Sequence, residues 1–288
     1  MAITKRMIDL HTHSNASDGT CSPTELVKLA KDAGLVALAL TDHDSIDGVK
    51  EALTAGATYD IEVIPGVELS CNYNDEEIHM VGLFIDYEDE AFCEHLRNFQ
   101  DLRDNRNIKM AECLCEEGFD ISAKALYEMF PDAVLTRAHV AKYLVATGQV
   151  KELSIVFDKY IGNGCKCFVD RPKIHPADAI KMIHNIGGIA ILAHPCLCKM
   201  PRKDLYAMIE ELAAAGLDGI EAIYSCNMGS DESDFKDLAK KLGLLISGGS
   251  DFHGTNKPYI KLGIGKGNMY TDYDLLEKIK APNTNYHV

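Results

Sequence analysis

Nine residues of the 288-residue chain have the types and spacing of a metal-ligand set. His11 and His13 lie two apart in Asp9-Leu10-His11-Thr12-His13, and the alternation of a strand would put Asp9, His11 and His13 on one face. Asp18 follows in a Ser17-Asp18-Gly19 turn. His43 lies in Thr41-Asp42-His43-Asp44, Glu68 in Gly66-Val67-Glu68, and His79 at the head of an apolar run. His194 lies in Ala193-His194-Pro195, and Asp251 and His253 in Ser250-Asp251-Phe252-His253. Imidazoles mixed with carboxylates suit Mn²⁺, Fe²⁺ or Zn²⁺, whereas an all-oxygen set would favour Mg²⁺ or Ca²⁺. One zinc ion takes roughly three or four protein ligands, so a set this large fits two or three ions sharing a bridging carboxylate.

Each fragment alone has an ordinary explanation. A lone H-x-H is more often a pair of exposed or core-satisfied histidines. T-D-H-D alone reads as a loop with Asx turns, and A-H-P as a strand end with an extended residue before proline. The repetition has no such explanation, because six separated segments each place a ligand type beside an expected strand. His95, His175, His184 and His287 fit no pattern and read as ordinary surface or helix residues.

The elements that must position these residues alternate. Met7 to Leu10 reads as a short strand. Ser22-Pro23-Thr24-Glu25 supplies an N-cap, a proline at the first helical position and a capping-box glutamate, and Gly34 a stop. Leu35 to Leu40 is a continuous apolar run, as expected of a strand buried on both faces. The spacing predicts a helix over Ser45 to Ala57 and strands over Glu62 to Pro65 and Ile78 to Ile85. From about Asp89 the chain turns charged and helical, with helices expected near Phe92–Glu117, Ser122–Met129 and Thr136–Thr147. Alternation resumes near Phe168. Helices are expected over Pro176–Asn185, Lys203–Ala215 and Ser233–Leu242, with strands over Gly188–Ala193, Gly219–Ala222 and Leu244–Ser247. This pattern implies an α/β fold with a mainly parallel sheet or barrel. The expected organisation is one barrel in two parts, 1–89 and 166–288, around a helical insert at 90–165.

Composition narrows the function. Twenty-nine Lys+Arg against 44 Asp+Glu give a formal charge of −15. So acidic a chain is a poor ligand for long nucleic acid or an anionic membrane, and any phosphate it handles needs a local positive charge. The segment MAITKRMIDLHTHS has no apolar signal-peptide core, and the apolar runs are too short to span a bilayer, so a cytoplasmic address is expected. Ten cysteines without a secretion signal are expected to be free thiols. The pairs Cys113/Cys115, Cys165/Cys167 and Cys196/Cys198 lack the knuckle spacing of a structural zinc site.

The segments D-L-H-T-H-S-x-x-S-D-G, T-D-H-D, G-V-E, I-H-M-V-G-L-F-I-D, A-H-P and G-G-S-D-F-H-G together resemble the PHP (polymerase and histidinol phosphatase) family of metal-dependent phosphoesterases over nearly the whole chain. The resemblance implies a distorted (β/α)₇ barrel with three divalent ions at its C-terminal rim, Mn²⁺ foremost and Zn²⁺ or Fe²⁺ as alternatives. It implies His11, His13, Glu68 and Asp251 on one ion. Glu68 would bridge to a second ion held with His79 and His194, and Asp18, His43 and His253 would hold the third. The sequence is most similar to the branch acting on nucleotides, which has an Arg-x-His motif near the end of a helical insert, here Arg137-Ala138-His139. A histidine that the branch often carries after G-I-E is replaced here by Ser225-Cys226-Asn227-Met228.

The function this implies is hydrolysis of a nucleotide phosphomonoester, AMP or a 3′,5′-bisphosphate, by a hydroxide bridging two ions. Arg137 would bind the phosphate, and His139 or Asp251 would assist the leaving alcohol. The alternatives are a 5′–3′ exoribonuclease on short RNA, a histidinol-phosphate phosphatase, and a non-catalytic metal-binding scaffold. The expected partner is a small phosphate ester or short oligoribonucleotide, not a membrane or long duplex. Asp42 and Asp44 would either orient ligating imidazoles or sit as solvated loop acids. Arg171 and Lys173 could reach a second phosphate, but solvated surface positions are the ordinary reading of both.

Overall fold

The computed structural model describes residues 6–74, 76–131, 135–170 and 172–281, so Arg171 and His287 lie outside the described residues. The chain forms two compact units, one comprising the described residues up to Cys93 and from Lys173 onward, the other Glu94–Pro172. The sequence pattern put these boundaries slightly earlier, at 89 and 165.

In the first unit seven strands form one sheet in chain order: β1 (Met7–Thr12), β2 (Leu35–Leu40), β3 (Glu62–Tyr73), β4 (Glu76–Leu83), β5 (Ile189–Leu192), β6 (Gly219–Tyr224) and β7 (Leu245–Gly249). The ends meet where Asp251 N–H donates to the His11 carbonyl and His13 N–H to that of Phe252 (2.9 and 3.0 Å). The result is a nearly closed, distorted (β/α)₇ barrel. Gly249 is required at this seam, because a Cβ there would collide with His11.

The helices of this unit follow the sequence signals closely. They are α1 (Pro23–Asp32), α2 (Val49–Tyr59), α7 (Pro176–Asn185), α8 (Arg202–Ala214), α9 (Asp231–Leu242) and α10 (Tyr273–Lys280). Helix α1 has the expected capping box, with Glu25 N–H donating to Ser22 Oγ and Ser22 N–H to the Glu25 carboxylate. Strand β2 is buried on both faces. Ala37 and Ala39 belong to the inner cluster, while Leu38 and Leu40 pack with Leu26, Val27 and Ala30 of α1 and Ala52 and Ala55 of α2.

Three features depart from the sequence pattern. First, within a sheet that is mainly parallel as expected, β4 runs antiparallel to both β3 and β5, a direction the sequence pattern does not give. Strand β3 extends to Tyr73 and forms a hairpin with β4, so periodicity alone, which is blind to direction, had stopped it at Pro65. Second, the alternation that resumes near Phe168 does so, among the described residues, with an isolated bridge of Ile174 to Cys71 ahead of α7 rather than with a strand. Third, α10 closes the N-terminal end of the barrel, packing Leu276 and Ile279 with Ile8, Ala37 and Ile189.

The second unit is helical. Helix α3 (Glu90–Glu116) leads into it, followed by α4 (Ala123–Met129), α5 (Arg137–Ala146), the short α6 (Leu153–Val156) and a π-helical turn at Phe157–Ile161. Met110, Leu114, Leu126, Leu135, Val140, Leu144 and Ile161 form its own core. Within it Cys113 and Cys167 are joined in a disulfide, correcting the expectation of free thiols. The cause is packing: the last turns of α3 and the segment after the π-helical turn bring the two Cα atoms to 5.4 Å, inside bonding range. No helix among the described residues is long and apolar enough to cross a membrane.

Candidate metal centre

All nine sequence-predicted ligands lie in the barrel unit and converge. Their ligand atoms fall into four overlapping groups, each within 4.8 Å: His13, Asp18, His43 and His253; His11, Glu68 and His194; His11, His13 and Asp251; and His43, Glu68 and His79. The elements explain the convergence. His11, His43, His194 and Asp251 sit at or just after the C-terminal ends of β1, β2, β5 and β7. Because β4 runs the other way, its ligand comes early in the strand, and His79 pairs with Ser70 of β3. Glu68 lies mid-strand in β3, level with the end of β2, where its N–H donates to the Asp42 carbonyl and Asp44 N–H donates to its own (3.0 and 2.9 Å).

Glu68 is the centre of the array and fully buried. Its Oε2 lies 3.0 Å from His43 Nδ1, 3.2 Å from His11 Nε2 and 3.3 Å from His13 Nε2. Its Oε1 lies 2.9 Å from both His79 Nδ1 and His194 Nε2. His253 Nε2 is 3.0 Å from Asp18 Oδ1, while His13 and His43 are 4.0 Å from it. His43 thus stands between Asp18 and Glu68, and belongs both to the group with His13, Asp18 and His253 and to the group with Glu68 and His79.

A resident cation fits this donor set. His11 Nε2, both ring nitrogens of His13, Asp18 Oδ1, His43 Nδ1 and Glu68 Oε2 are buried without a hydrogen-bond partner. Leaving such atoms unpaired costs about 1–3 kcal/mol each, and divalent ions would satisfy all of them together. The electrostatics agree. Burial alone would raise the Glu68 carboxyl, but His43, His11 and His79 hold it well below the usual carboxylate range. Burial and the neighbouring His253 push His13 well below the usual imidazole range, leaving it neutral, the form a metal needs. Burial opposes the charge on His79, yet Glu68 raises it to about 9, so a metal arriving there displaces a proton.

Asp251 has a different shell. Its Oδ2 accepts hydrogen bonds from Tyr224 Oη and Lys257 Nζ, both at 2.7 Å, and its Oδ1 faces His13 Nε2 and His253 Nδ1 at 3.3 Å. Against the effect of burial, Lys257 and His253 hold the carboxyl well below its usual range. An acid held so low suits a ligand and has no proton to give at neutral pH.

Asp42 and Asp44 are buried, so neither is a solvated loop acid. Asp42 is buried and accepts from Ser14 N–H, Ser14 Oγ and Ser17 Oγ at 2.8, 2.6 and 2.5 Å, which shapes the turn leading to Asp18. Asp44 is buried and accepts from Ser70 N–H at 2.9 Å. Lys173 Nζ lies 2.8 Å from the Glu77 carboxylate, which leaves it an ion-pair partner of β4.

Arg137 and His139 lie in the helical unit. Arg137 opens α5, is half-buried, donates to Asn163 Oδ1 at 3.1 Å and stands 5.7 Å from the Phe168 ring. His139 is buried. Its Nδ1 accepts the Thr136 N–H at 2.9 Å, so the proton of the neutral ring sits on Nε2.

Sequence reasoning did not assign Glu221, Tyr224, Lys257 or the true role of Asp9. Asp9 Oδ1 accepts Ser250 N–H at 2.8 Å and its Oδ2 accepts Gly263 N–H at 2.7 Å, tying β1 to the segments around Asp251. Glu221 has one visible signal, an acid between Ile220 and Ala222 in an apolar strand.

Fold and site together define a barrel protein whose C-terminal rim gathers residues able to hold metal ions. A family model, the PHP domain, matches residues 9–161. A 5′-3′ exoribonuclease of Haemophilus influenzae is 40% identical over 85% of this chain and 89% of its own length. A 3′,5′-nucleoside bisphosphate phosphatase of Chromobacterium violaceum is 35% identical over 85% and 87%. A crystal structure from Bifidobacterium adolescentis, described as that of a metal-dependent phosphoesterase, superposes with a TM-score of 0.85 over 97% of both chains at 28% identity. The chain belongs to the PHP family and is a metal-dependent phosphoesterase of that type.

Proposed function

We propose that the chain hydrolyses a phosphomonoester of a nucleotide, AMP or a 3′,5′-bisphosphate, with three divalent ions held by the nine converging residues. Mn²⁺ is the expected ion, with Zn²⁺ and Fe²⁺ as alternatives. The observation that carries the reading is the buried array of imidazole and carboxylate atoms that have no hydrogen-bond partner. Ions bound there would supply Lewis acidity, offsetting the charge of phosphate oxygens and lowering the pKa of water so that hydroxide is available near neutral pH.

The chain's own residues orient and charge this site. Glu68 turns one oxygen to His79 and His194 and the other to His11, His13 and His43, the placement of a bridging ligand. Lys257 and Tyr224 occupy Asp251 Oδ2 and leave Oδ1 for coordination. With Asp251 ionised, the proton for the leaving oxygen is assigned to His139, and the phosphate contact to Arg137. Both assignments rest on the Arg-x-His resemblance. Arginine suits the second task because its planar fork matches two phosphate oxygens.

The Chromobacterium relative supports the bisphosphate substrate. The Haemophilus relative supports a second reading, 5′–3′ removal of nucleotides from short RNA by the same chemistry. A Mn²⁺-supplemented panel separates them, comparing AMP, a 3′,5′-bisphosphate, histidinol phosphate and 5′-phosphorylated oligoribonucleotides. The highest kcat/KM is expected on a mononucleotide, with Arg137→Ala lowering it about 10²-fold or more at unchanged metal content. Faster turnover of the oligoribonucleotides moves the assignment to the nuclease, and turnover of none overturns both.

A further inference from the structure

We propose that Glu221 of β6 is a positioning residue that sets two metal ligands at once, so that the ions reached by His11 and His194 depend on it. The inference rests on reading the cluster as a metal centre. Among the described residues Glu221 supplies no atom to any of the four ligand groups. It acts through two members of them. Its Oε1 lies 3.0 Å from His11 Nδ1, so Nδ1–H donates to the carboxylate and Nε2, turned toward Glu68, is the ring nitrogen left for a metal. That contact selects the tautomer and raises the basicity of the ligating nitrogen.

The other oxygen of Glu221 does a separate job. It accepts the backbone N–H of His194 at 2.7 Å. His194 has φ 28° and ψ 58°, a left-handed conformation that costs a non-glycine residue about 1–3 kcal/mol and survives only where its surroundings enforce it. Glu221 supplies one such restraint at the residue whose Nε2 meets Glu68 Oε1. A single carboxylate thus fixes the ring of a β1 ligand and the backbone of the ligand after β5. Every residue of β6 is buried, so this carboxylate is held away from solvent.

The test compares wild-type protein with Glu221→Gln and Glu221→Asp, each stripped with chelator and reloaded with Mn²⁺. Ions per chain are counted by elemental analysis, affinities are read by chelator competition, and the fold is followed by circular dichroism. Glutamine keeps the shape but turns an amide N–H₂ toward one of the two donors. It is expected to weaken Mn²⁺ binding 10–100-fold at the positions that use His11 and His194. One ion, at His13, Asp18, His43 and His253, is expected to keep wild-type affinity. Glu221→Asp, which keeps the charge but is one methylene shorter, is expected to fall between.

Wild-type protein that takes up two or more ions while Glu221→Gln matches it at each overturns the inference alone. Wild-type protein that takes up at most one ion overturns the metal-centre reading and the inference with it. Uniform loss of every ion, together with a lowered melting temperature of the chelated variant, marks a general structural role and also overturns it.

Discussion

Asp9 shows how much the centre's geometry draws on charges that bind no metal. Burial, only partly offset by hydrogen bonds from Ser250, Gly263 and His11, pushes its carboxyl up to about 6 from 3.8. Well below pH 4 the group is protonated in the folded and unfolded chain alike and costs nothing. As pH rises to 6 the unfolded chain releases the proton first, so Asp9 by itself takes stability from the metal-free protein across that window. A shift of about two pKa units corresponds to about 3 kcal/mol. Asp42, also raised to about 6 by burial, titrates in the same direction and window. Asp9→Asn is therefore expected to make the change in stability between pH 4 and 6 less unfavourable by up to about 3 kcal/mol. Urea unfolding of the chelated protein across that range checks this, and parallel pH profiles for wild type and variant would falsify it.

At the scale of elements, the second unit carries a constraint that residue spacing does not announce. The Cys113–Cys167 disulfide closes a loop with a sequence separation of 54, spanning α4, α5 and α6. In the chain-entropy view a loop of that length stabilises the folded unit by about 4 kcal/mol. Reduction, or Cys113→Ser, is expected to lower the melting of the helical unit while leaving the metal content of the barrel unchanged. Differential scanning calorimetry with and without reductant reads the first, elemental analysis the second. Identical melting would show that the bond contributes no stability.

What was legible in the sequence divides along physical lines. The nine candidate ligands were legible because each stands in a short local motif. Helix α1 was legible because its capping box is local. The antiparallel course of β4 was not, because an apolar run carries no direction. Glu221 was not, because its role depends on contacts with two strands distant in sequence. The disulfide was not, because cysteine connectivity does not follow from spacing. Helix α10 escaped because its buried face, Leu276 and Ile279, is short and becomes apolar surface only against the open end of a barrel.

For the molecule as a whole, the formal charge of −15 decides what kind of phosphate can approach. Three divalent ions would offset six of those charges, and they would do so at one point, the rim where the ligands converge. The rest of the surface stays acidic and repels a polyanion over about a Debye length. A small nucleotide would meet the ions within that distance, whereas a long duplex would bring many phosphates against a surface whose net charge is negative. The salt response follows in sign. A basic nucleic-acid binder loses affinity steeply as salt rises, by about 10³-fold or more between 50 and 200 mM when it neutralises many phosphates. Here added salt screens repulsion, so KM for a mononucleotide is expected to stay level or fall over that range, and duplex binding to stay undetectable at both ends. Steady-state kinetics at fixed free Mn²⁺, paired with duplex titrations, measures both. A KM that climbs steeply with salt would show that an extended basic surface binds the substrate, and would return long RNA to consideration.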